Sequence, residues 1–166
     1  MLEPDFYFES VFEVSYEKLW GKNIRGLIFD IDNTLTAYDE MLPSPETAEL
    51  LGRLKNMGFG LCLLTNNTKK RLDGFNENLK LAGFANALKP LSYGVKKAIE
   101  EMKVPPQQAA IIGDQLLTDI WAGKNSGITT VLVKPISQRD FAFVKFKRLI
   151  ENRMLKKFFA KLEKEE

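Results

Sequence analysis

The sequence contains no histidine and only one cysteine among its 166 residues. The lack of histidine removes the side chain that most often activates a nucleophile or binds zinc. Cys62 cannot form a disulfide within the chain, and its place in the apolar stretch FGLCLLT predicts a buried strand residue rather than a reactive thiol. A reduced, cytoplasmic location is expected.

Long apolar runs are also missing. No stretch approaches the ~20 apolar residues that a membrane-spanning helix needs. The opening MLEPDFYFESVFEV carries acids among its apolar positions, unlike a secretory signal. We expect a chain that is neither exported nor embedded in a membrane. The net charge of +2 is too small to indicate nucleic-acid binding without a clustered basic face, so no specific nucleic acid is expected.

From Ile24 onward, short apolar runs alternate with stretches of helical periodicity. The predicted strands are IRGLIFDI, FGLCLLT, ANAL, AAIIG and TTVLV, and the helical stretches between them are TAELLGRLKNMG, KKRLDGFNENLKLAG, SYGVKKAIEEMKV and QLLTDIWAGKNSG. Strands that are apolar throughout are typical of a parallel sheet covered by helices on both faces. Because crossovers are right-handed, we predict an α/β fold with a Rossmann-like, doubly wound parallel sheet. The segment before Ile24 is predicted to be irregular.

Polar side chains follow three of these strands directly. Asp30 and Asp32 end the first strand, Thr65 and Asn66 end the second, and Asp114 follows AAIIG. In open parallel sheets, ligands bind beyond the carboxyl ends of the strands. We therefore expect these residues to lie together on one rim of the sheet.

The residue types on this rim indicate a particular chemistry. Carboxylates gathered at one edge raise each other's pKa unless a cation neutralises them. Without a thiolate or imidazole cluster, Mg²⁺ fits better than zinc. The remaining candidate nucleophile is an aspartate, which can accept a phosphoryl group as an aspartyl phosphate. Asp32, two residues after Asp30, is placed to protonate the leaving oxygen and later to activate water.

At these residues the sequence resembles the haloacid dehalogenase-like (HAD) phosphatases. DIDNTL is similar to the DxDxT signature of that family. The resemblance implies Asp30 as nucleophile and Asp32 as general acid and base, with the main-chain carbonyl of Asp32 on Mg²⁺. Asn33 and Thr34, in the same motif, are predicted to bind substrate.

Three further motifs follow in the family's order. LLTNN implies that Thr65 holds the transferring phosphoryl group and that Asn66 assists. LKP implies that Lys89 neutralises developing charge and steadies the nucleophile. IIGDQLLTD implies Asp114 as a metal ligand and Asp119 as a second acid near the metal. The predicted metal set is therefore Asp30, Asp32 and Asp114.

Each piece has a plainer alternative. An Asp-x-Asp-x-Asn string also begins a calcium-binding loop, but that loop needs Gly at its sixth position and Glu at its twelfth, where this sequence has Leu35 and Met41. Threonine followed by asparagine is common turn chemistry. Lys96 and Lys97, on the following helix, are rivals for the role of active-site lysine. Asp119 is alternatively an acid on a helix surface.

The spacing of the motifs leaves no room for a cap domain. The first and second motifs are separated by little more than one loop and one helix, residues 36–60, and the second and third by one helix. An open site encloses a small metabolite poorly. We therefore expect a phosphate monoester on a large or surface-held substrate.

The C-terminal segment is strongly basic, and its apolar residues recur three or four positions apart. We predict a core of residues 1–138 followed by a basic amphipathic helix in 139–166. The basic residues are Arg139, Lys145, Lys147, Arg148, Arg153, Lys156, Lys157 and Lys161, which face Asp140 and Glu151. The apolar stripe is Phe143, Phe146, Ile150, Met154, Phe158 and Leu162. Such a helix can contact an anionic membrane through 139–162, dock on the sheet, or join a twin chain.

A narrower resemblance covers nearly the whole chain. The opening LEPDFYFESVFEV, the capless core and the tail FKRLIENRMLKKF are similar to the YqeG-like branch of the family and to mitochondrial phosphatidylglycerophosphate phosphatases. This implies release of the terminal phosphate of phosphatidylglycerophosphate, at a cytoplasmic or peripheral inner-membrane location. A phosphatase for proteins or nucleic-acid ends and a non-catalytic phosphate-binding protein are the alternatives. The oligomeric state is left open.

Overall fold

A computed structural model describes residues 2–137 and 142–165 and contains one parallel sheet flanked by helices. The strands are β1 (Phe6–Phe8), β2 (Gly26–Phe29), β3 (Gly60–Leu64), β4 (Ala82–Phe84), β5 (Ala109–Gly113) and β6 (Thr129–Val133). The helices are α1 (Tyr16–Gly21), α2 (Pro45–Asn56), α3 (Lys69–Asn76), α4 (Tyr93–Met102), α5 (Trp121–Asn125) and α6 (Ala142–Glu165). The strand order is β1-β6-β5-β2-β3-β4. The predicted fold class is confirmed.

The central strands are buried on both faces, which explains why their sequences show no polar alternation. Leu27 packs in an apolar layer that includes α2, whereas its neighbour Ile28 packs in the opposite layer with Val95 of α4 and Ala122 of α5. Cys62 lies in the second layer, where burial raises the pKa of its thiol to about 12. Its predicted role in core packing agrees with this environment.

The region between α3 and α4 differs from the prediction. The helix predicted to reach Gly83 ends at Asn76, whose side chain accepts from the amide of Leu81 (2.9 Å) and donates to its carbonyl (2.7 Å). These bonds turn the chain early enough for Gly83 to pair with β3. The strand predicted at 85–88 is therefore three residues too late, because Asn86 and Leu88 have positive φ and cannot extend it.

The opening segment was predicted to be irregular, but it forms β1 and α1. Strand β1 pairs with β6, and the carboxylate of Asp5 fixes this pairing by accepting from both the amide and the hydroxyl of Thr130 at 2.8 Å. A three-residue strand that is only partly buried leaves no alternation to recognise. Helix α1 buries Tyr16 and Leu19 against the core.

Helix α6 docks on the core, one of the predicted alternatives, and its contacts extend beyond its first half to Phe159, whose ring packs on Tyr7. The buried face differs from the predicted stripe: Met154 and Phe158 are partly buried, whereas Ile150 and Leu162 are exposed. Glu151 is buried instead, because its carboxylate accepts at 2.9 Å from the amide of Leu117, in a π-helical turn over Leu116–Ile120. Arg139 and Asp140, and the side chains of Phe143, Lys145 and Phe146, lie outside the described part of the chain.

The connections around the site are short, as predicted. Within residues 2–137, a loop and α2 join β2 to β3, and α3 joins β3 to β4, so no cap domain is inserted there. Among the described helices, none combines the length and apolarity that a membrane crossing requires.

Candidate active site

A buried cluster of carboxylates lies at the carboxyl ends of β2 and β5. Asp30, Asp114 and Asp119 each offer an oxygen, and these oxygens lie within 4.8 Å of one another. The hydroxyl of Thr34 bridges two of them, 3.2 Å from Asp30 Oδ2 and 3.3 Å from Asp114 Oδ1. The structure therefore brings Asp30 and Asp114 together, as the motif spacing predicts, and adds Asp119 to the group.

Burial and mutual repulsion raise the pKa values of two of these acids. Desolvation is the largest cause for Asp30, followed by the charge of Asp119, while Lys89 opposes them. Desolvation and Asp119 also raise the pKa of Asp114 to about 7, and Arg148 opposes this shift. A set of hard oxygen donors whose charged forms are disfavoured fits a divalent cation such as Mg²⁺, because the cation would restore the ionised forms.

Lys89 occupies the centre of the cluster. Its ammonium donates to Asp30 Oδ1 at 2.8 Å, to Asp119 Oδ1 at 2.5 Å and to the carbonyl of Leu64 at 3.0 Å. Burial alone would lower the pKa of Lys89, but the two carboxylates outweigh it and raise the pKa above the ordinary value for lysine. The alternative lysines, Lys96 and Lys97, are exposed on α4.

Thr65 and Asn66 follow β3 at the same edge. The hydroxyl of Thr65 accepts from the amide of Asn67 at 3.0 Å. The Asn66 side chain accepts from the amide of Lys89 at 2.8 Å and donates to its carbonyl at 2.9 Å. Asn66 was predicted to contact substrate, and here its amide group positions the backbone of Lys89.

Asp32 lies outside the carboxylate cluster and is held by a separate set of donors. Arg71 Nε donates to Asp32 Oδ1 at 3.0 Å, its Nη2 lies 2.9 Å from the same oxygen, and Asn67 donates to Oδ2 at 3.1 Å. Asp32 was predicted to bind the metal through its main-chain carbonyl, and its side chain is separate from the carboxylates of Asp30 and Asp114. This leaves the predicted contribution of its main-chain carbonyl as a proposal.

Arg71 is a site residue that the sequence reasoning missed. It stands in the polar run KKRLDGFN, where it resembles a solvent-facing base, yet it is only 8% exposed. The signal that could have found it is position: Thr68 caps α3 directly after the second motif, which places the first turn of that helix near the end of β3.

Asp119 is buried, so the alternative of an acid on a helix surface is wrong. The π-helical turn directs its side chain back over β5, where Oδ2 accepts from the amide of Gln115 at 3.1 Å. A Cβ atom at Gly113 would overlap the Asp119 side chain, so the glycine permits this close approach. The position agrees with the predicted second acid near the metal.

Asn33 is buried at the turn that follows Asp32. It adopts a left-handed φ of 63°, and its side chain accepts from the amide of Tyr38 at 3.3 Å. Asparagine tolerates this backbone conformation better than most residues. Asn33 was predicted to bind substrate, and in the structure it organises the loop that carries the first motif.

Helix α6 supplies a second residue that the sequence reasoning missed. Arg148 Nη2 donates to Asp114 Oδ2 at 2.8 Å, and Lys147 lies 3.3 Å from the side-chain oxygen of Gln115. Both bases were assigned to a lipid-facing or docking helix because nothing in their local sequence indicates a contact with the fourth motif. The docked helix therefore forms one wall of the site.

Comparisons with known proteins agree with this geometry. The sequence profile of a haloacid dehalogenase-like hydrolase matches residues 36–127. The chain is 33% identical to a probable phosphatase, YqeG, of Bacillus subtilis, over 92% of this chain and 88% of that protein. NagD from Escherichia coli K-12 has the same fold, with a TM-score of 0.57 and 16% identity over 69% of this chain and 90% of that one.

Two further relatives have names that state their substrates. A glyceraldehyde 3-phosphate phosphatase of Pyrococcus abyssi is 31% identical over 74% of this chain and 53% of that protein. A chloroplastic and mitochondrial phosphatidylglycerophosphate phosphatase of Arabidopsis thaliana is 28% identical over 89% of this chain and 45% of that protein. The chain thus spans about half the length of these two relatives.

Proposed function

The chain belongs to the haloacid dehalogenase-like hydrolase family and is a phosphatase, and from that premise we propose a Mg²⁺-dependent phosphomonoester hydrolase that forms an aspartyl phosphate. The observation that carries the proposal is the buried pair Asp30 and Asp114, with the ammonium of Lys89 2.8 Å from Asp30. This pair offers both a nucleophilic oxygen and a place for a cation.

In the first half-reaction, an oxygen of Asp30 attacks the phosphorus of the substrate. The bond from phosphorus to the leaving oxygen breaks while Asp32 gives that oxygen a proton. Arg71 and Asn67 fix the orientation of the Asp32 carboxyl group, and therefore the direction from which its proton reaches the leaving oxygen. Lys89 favours the ionised form of Asp30 and, with Thr65, stabilises the charge on the transferring phosphoryl group.

In the second half-reaction, Asp32 takes a proton from a water molecule. The water oxygen attacks the same phosphorus and the bond to Asp30 breaks, which releases phosphate and restores both carboxyl groups. Bound Mg²⁺ would neutralise charge on the phosphoryl oxygens. Asp30, Asp114 and the main-chain carbonyl of Asp32 would hold the ion, and Asp119 would orient Lys89 beside it.

The substrate we infer is phosphatidylglycerophosphate. The absence of an inserted cap in residues 2–137 favours a bulky substrate, and the Arabidopsis relative carries this activity in its name. The exposed part of α6 bears Lys157 and Leu162 and would lie on the membrane that presents the lipid. We therefore propose that this is a cytoplasmic protein in peripheral contact with the inner membrane surface.

Phosphate release from phosphatidylglycerophosphate in mixed vesicles, with and without Mg²⁺, tests this assignment. The comparison substrates are glyceraldehyde 3-phosphate, a phosphopeptide and a 3′-phosphorylated oligonucleotide. Preferred turnover of the lipid supports the proposal, and preferred turnover of another substrate replaces it. No turnover of any substrate, including a generic aryl phosphate, would indicate a non-catalytic phosphate-binding protein.

A further inference from the structure

A cavity of about 700 Å³ lies between α6 and the carboxyl ends of β1 and β6, and Asp114 forms part of its wall. We call it the α6 cavity. Arg148 and Asp114, which are hydrogen-bonded to each other, both belong to its lining, so the cavity adjoins the candidate active site at Asp114. Its volume is in the range of pockets that bind small organic molecules, about 300–1,000 Å³.

One side of the α6 cavity is apolar. Leu116, Leu132 and Val133 line it from the core, and Leu155 lines it from the helix. Three of these side chains pack together, since Leu116 and Leu132 belong to one buried cluster against which Leu155 is placed. A polar sugar or nucleoside placed here would lose hydrogen bonds to water without replacing them.

The aromatic rings of Tyr7 and Phe159 also line the cavity. Their centroids are 5.1 Å apart, in an edge-to-face arrangement that joins β1 to α6. Phe159 is 37% exposed, so this part of the wall reaches the surface. A hydrocarbon chain that runs along the cavity could therefore leave it toward solvent or a membrane.

The charged residues of the lining are predominantly basic. Its cationic residues are Lys134, Arg148, Arg153 and Lys156, and its acids are Asp114 and Glu151. Arg153 and Lys156 are exposed. An apolar surface bordered by positive charge complements a ligand that has both a hydrocarbon chain and an anionic group.

We propose that the α6 cavity binds the leaving-group portion of an amphiphilic phosphate ester, with the phosphate beside Asp114 and the hydrocarbon chain between β6 and α6. The inference rests on the proposed phosphatase activity, and it adds where selectivity for an apolar substrate arises. The ligand class follows from the lining, because an alkyl chain fills an apolar wall and basic groups bind the phosphate oxygens.

Chain length provides the first test. Octyl phosphate and ethyl phosphate carry the same reacting group, and both are used as monomers below micelle concentration. Burial of one methylene group changes affinity by about fourfold. We expect kcat/KM for octyl phosphate to exceed that for ethyl phosphate by at least about tenfold, even with only part of the chain buried. Equal values would overturn the proposal, as would preference for a phosphopeptide over octyl phosphate.

A matched pair of charge reversals provides the second test. Lys156 lines the cavity, and its neighbour Lys157 does not, although both are exposed on α6. Lys156→Glu should weaken binding of octylphosphonate several-fold in calorimetry, and Lys157→Glu should leave it near the wild-type value. Equal weakening by both variants would assign the effect to general charge on the helix and would overturn the cavity site.

Filling the cavity provides the third test. Leu155→Trp should lower the ratio of kcat/KM for octyl phosphate to kcat/KM for ethyl phosphate to about one, and circular dichroism and thermal melting verify that the variant is folded. A retained chain-length preference in the folded variant would contradict the proposal. Octylphosphonate binding does not require turnover. A protein that binds the probe but hydrolyses no phosphate ester would reject the proposed function and keep the cavity, whereas hydrolysis without binding would reject only the cavity.

Discussion

Arg148 Nη2 donates a 2.8 Å hydrogen bond to Oδ2 of Asp114, 34 positions earlier in the sequence. Asp114 is 4% exposed, and this contact ties α6 to the carboxylate cluster. A side chain far from the catalytic motifs thus contributes directly to the electrostatics of the site. Changes in α6 should therefore affect the chemistry at the rim as well as the packing of the helix.

Removing the nucleophile should abolish turnover. Asp30→Asn keeps the size of the side chain but removes the charged carboxylate oxygen that attacks phosphorus. We expect kcat to fall at least about a thousandfold, as for other covalent nucleophiles. Phosphate release measures this, and an unchanged circular dichroism spectrum verifies the fold. Activity within tenfold of wild type would reject Asp30 as the nucleophile.

Arg71 should act by positioning Asp32. Arg71→Ala removes both nitrogen contacts to the carboxylate, so we expect kcat to fall about tenfold or more with little change in KM. The loss should be smaller for p-nitrophenyl phosphate than for an alkyl phosphate, because a good leaving group needs less protonation. Lys70→Ala, at the exposed neighbouring position, is the control. An equal loss for both substrates would contradict this role.

Arg148 should compete with a cation for Asp114. Arg148→Ala removes a positive charge 2.8 Å from the carboxylate, so we expect tighter Mg²⁺ binding by several-fold. Calorimetric titration with Mg²⁺ measures this without turnover, and addition of EDTA should remove the activity. Arg153→Ala, on the exposed part of the same helix, should bind Mg²⁺ like wild type. Weaker Mg²⁺ binding by Arg148→Ala would contradict the prediction.

Glu151 should make stability depend on pH. Desolvation raises the pKa of this acid, although the Leu117 amide and Lys147 favour its charged form. The folded state therefore binds more protons than the unfolded state, and stability should fall as pH rises from about 4.3, the ordinary glutamate value, through the raised folded pKa.

Glu151→Gln removes this ionisation, and its amide oxygen can still accept from Leu117. We expect the variant and wild type to have similar melting temperatures below about pH 4.3 and the variant to melt higher near pH 7. Glu163→Gln, exposed near the end of the same helix, is the control. A variant that melts lower than wild type at pH 7 would show that the ionised carboxylate is stabilising.

Two carboxylates of the candidate site could be predicted from the sequence because each one follows a strand directly along the chain. Asp30 and Asp114 each come directly after a fully buried strand, and adjacent parallel strands end at the same edge. Their geometry follows from the pattern of apolar runs. Lys89 could be predicted for a different reason: its motif follows the first two motifs in the order expected for the family.

The residues that the sequence did not reveal depend on tertiary docking. Arg71 and Arg148 sit in basic, helical stretches where neighbouring lysines are exposed, and only packing distinguishes them. The prediction of which face of α6 is buried was wrong for a related reason. The amide of Leu117 donates to Glu151 and holds that side chain against the core, and hydrophobic periodicity contains no information about this partner.

The pairing of β1 with β6 has a consequence for how the polypeptide becomes structured. Contacts between Asp5 and Thr130 span 125 positions, whereas β2 and β3 are joined through a single loop and helix. The inner strands can therefore assemble while the chain is still emerging from the ribosome, and β1 has to wait for β6. Since α6 contacts Tyr7 of that late strand, the wall of the α6 cavity is among the last parts of the molecule to form.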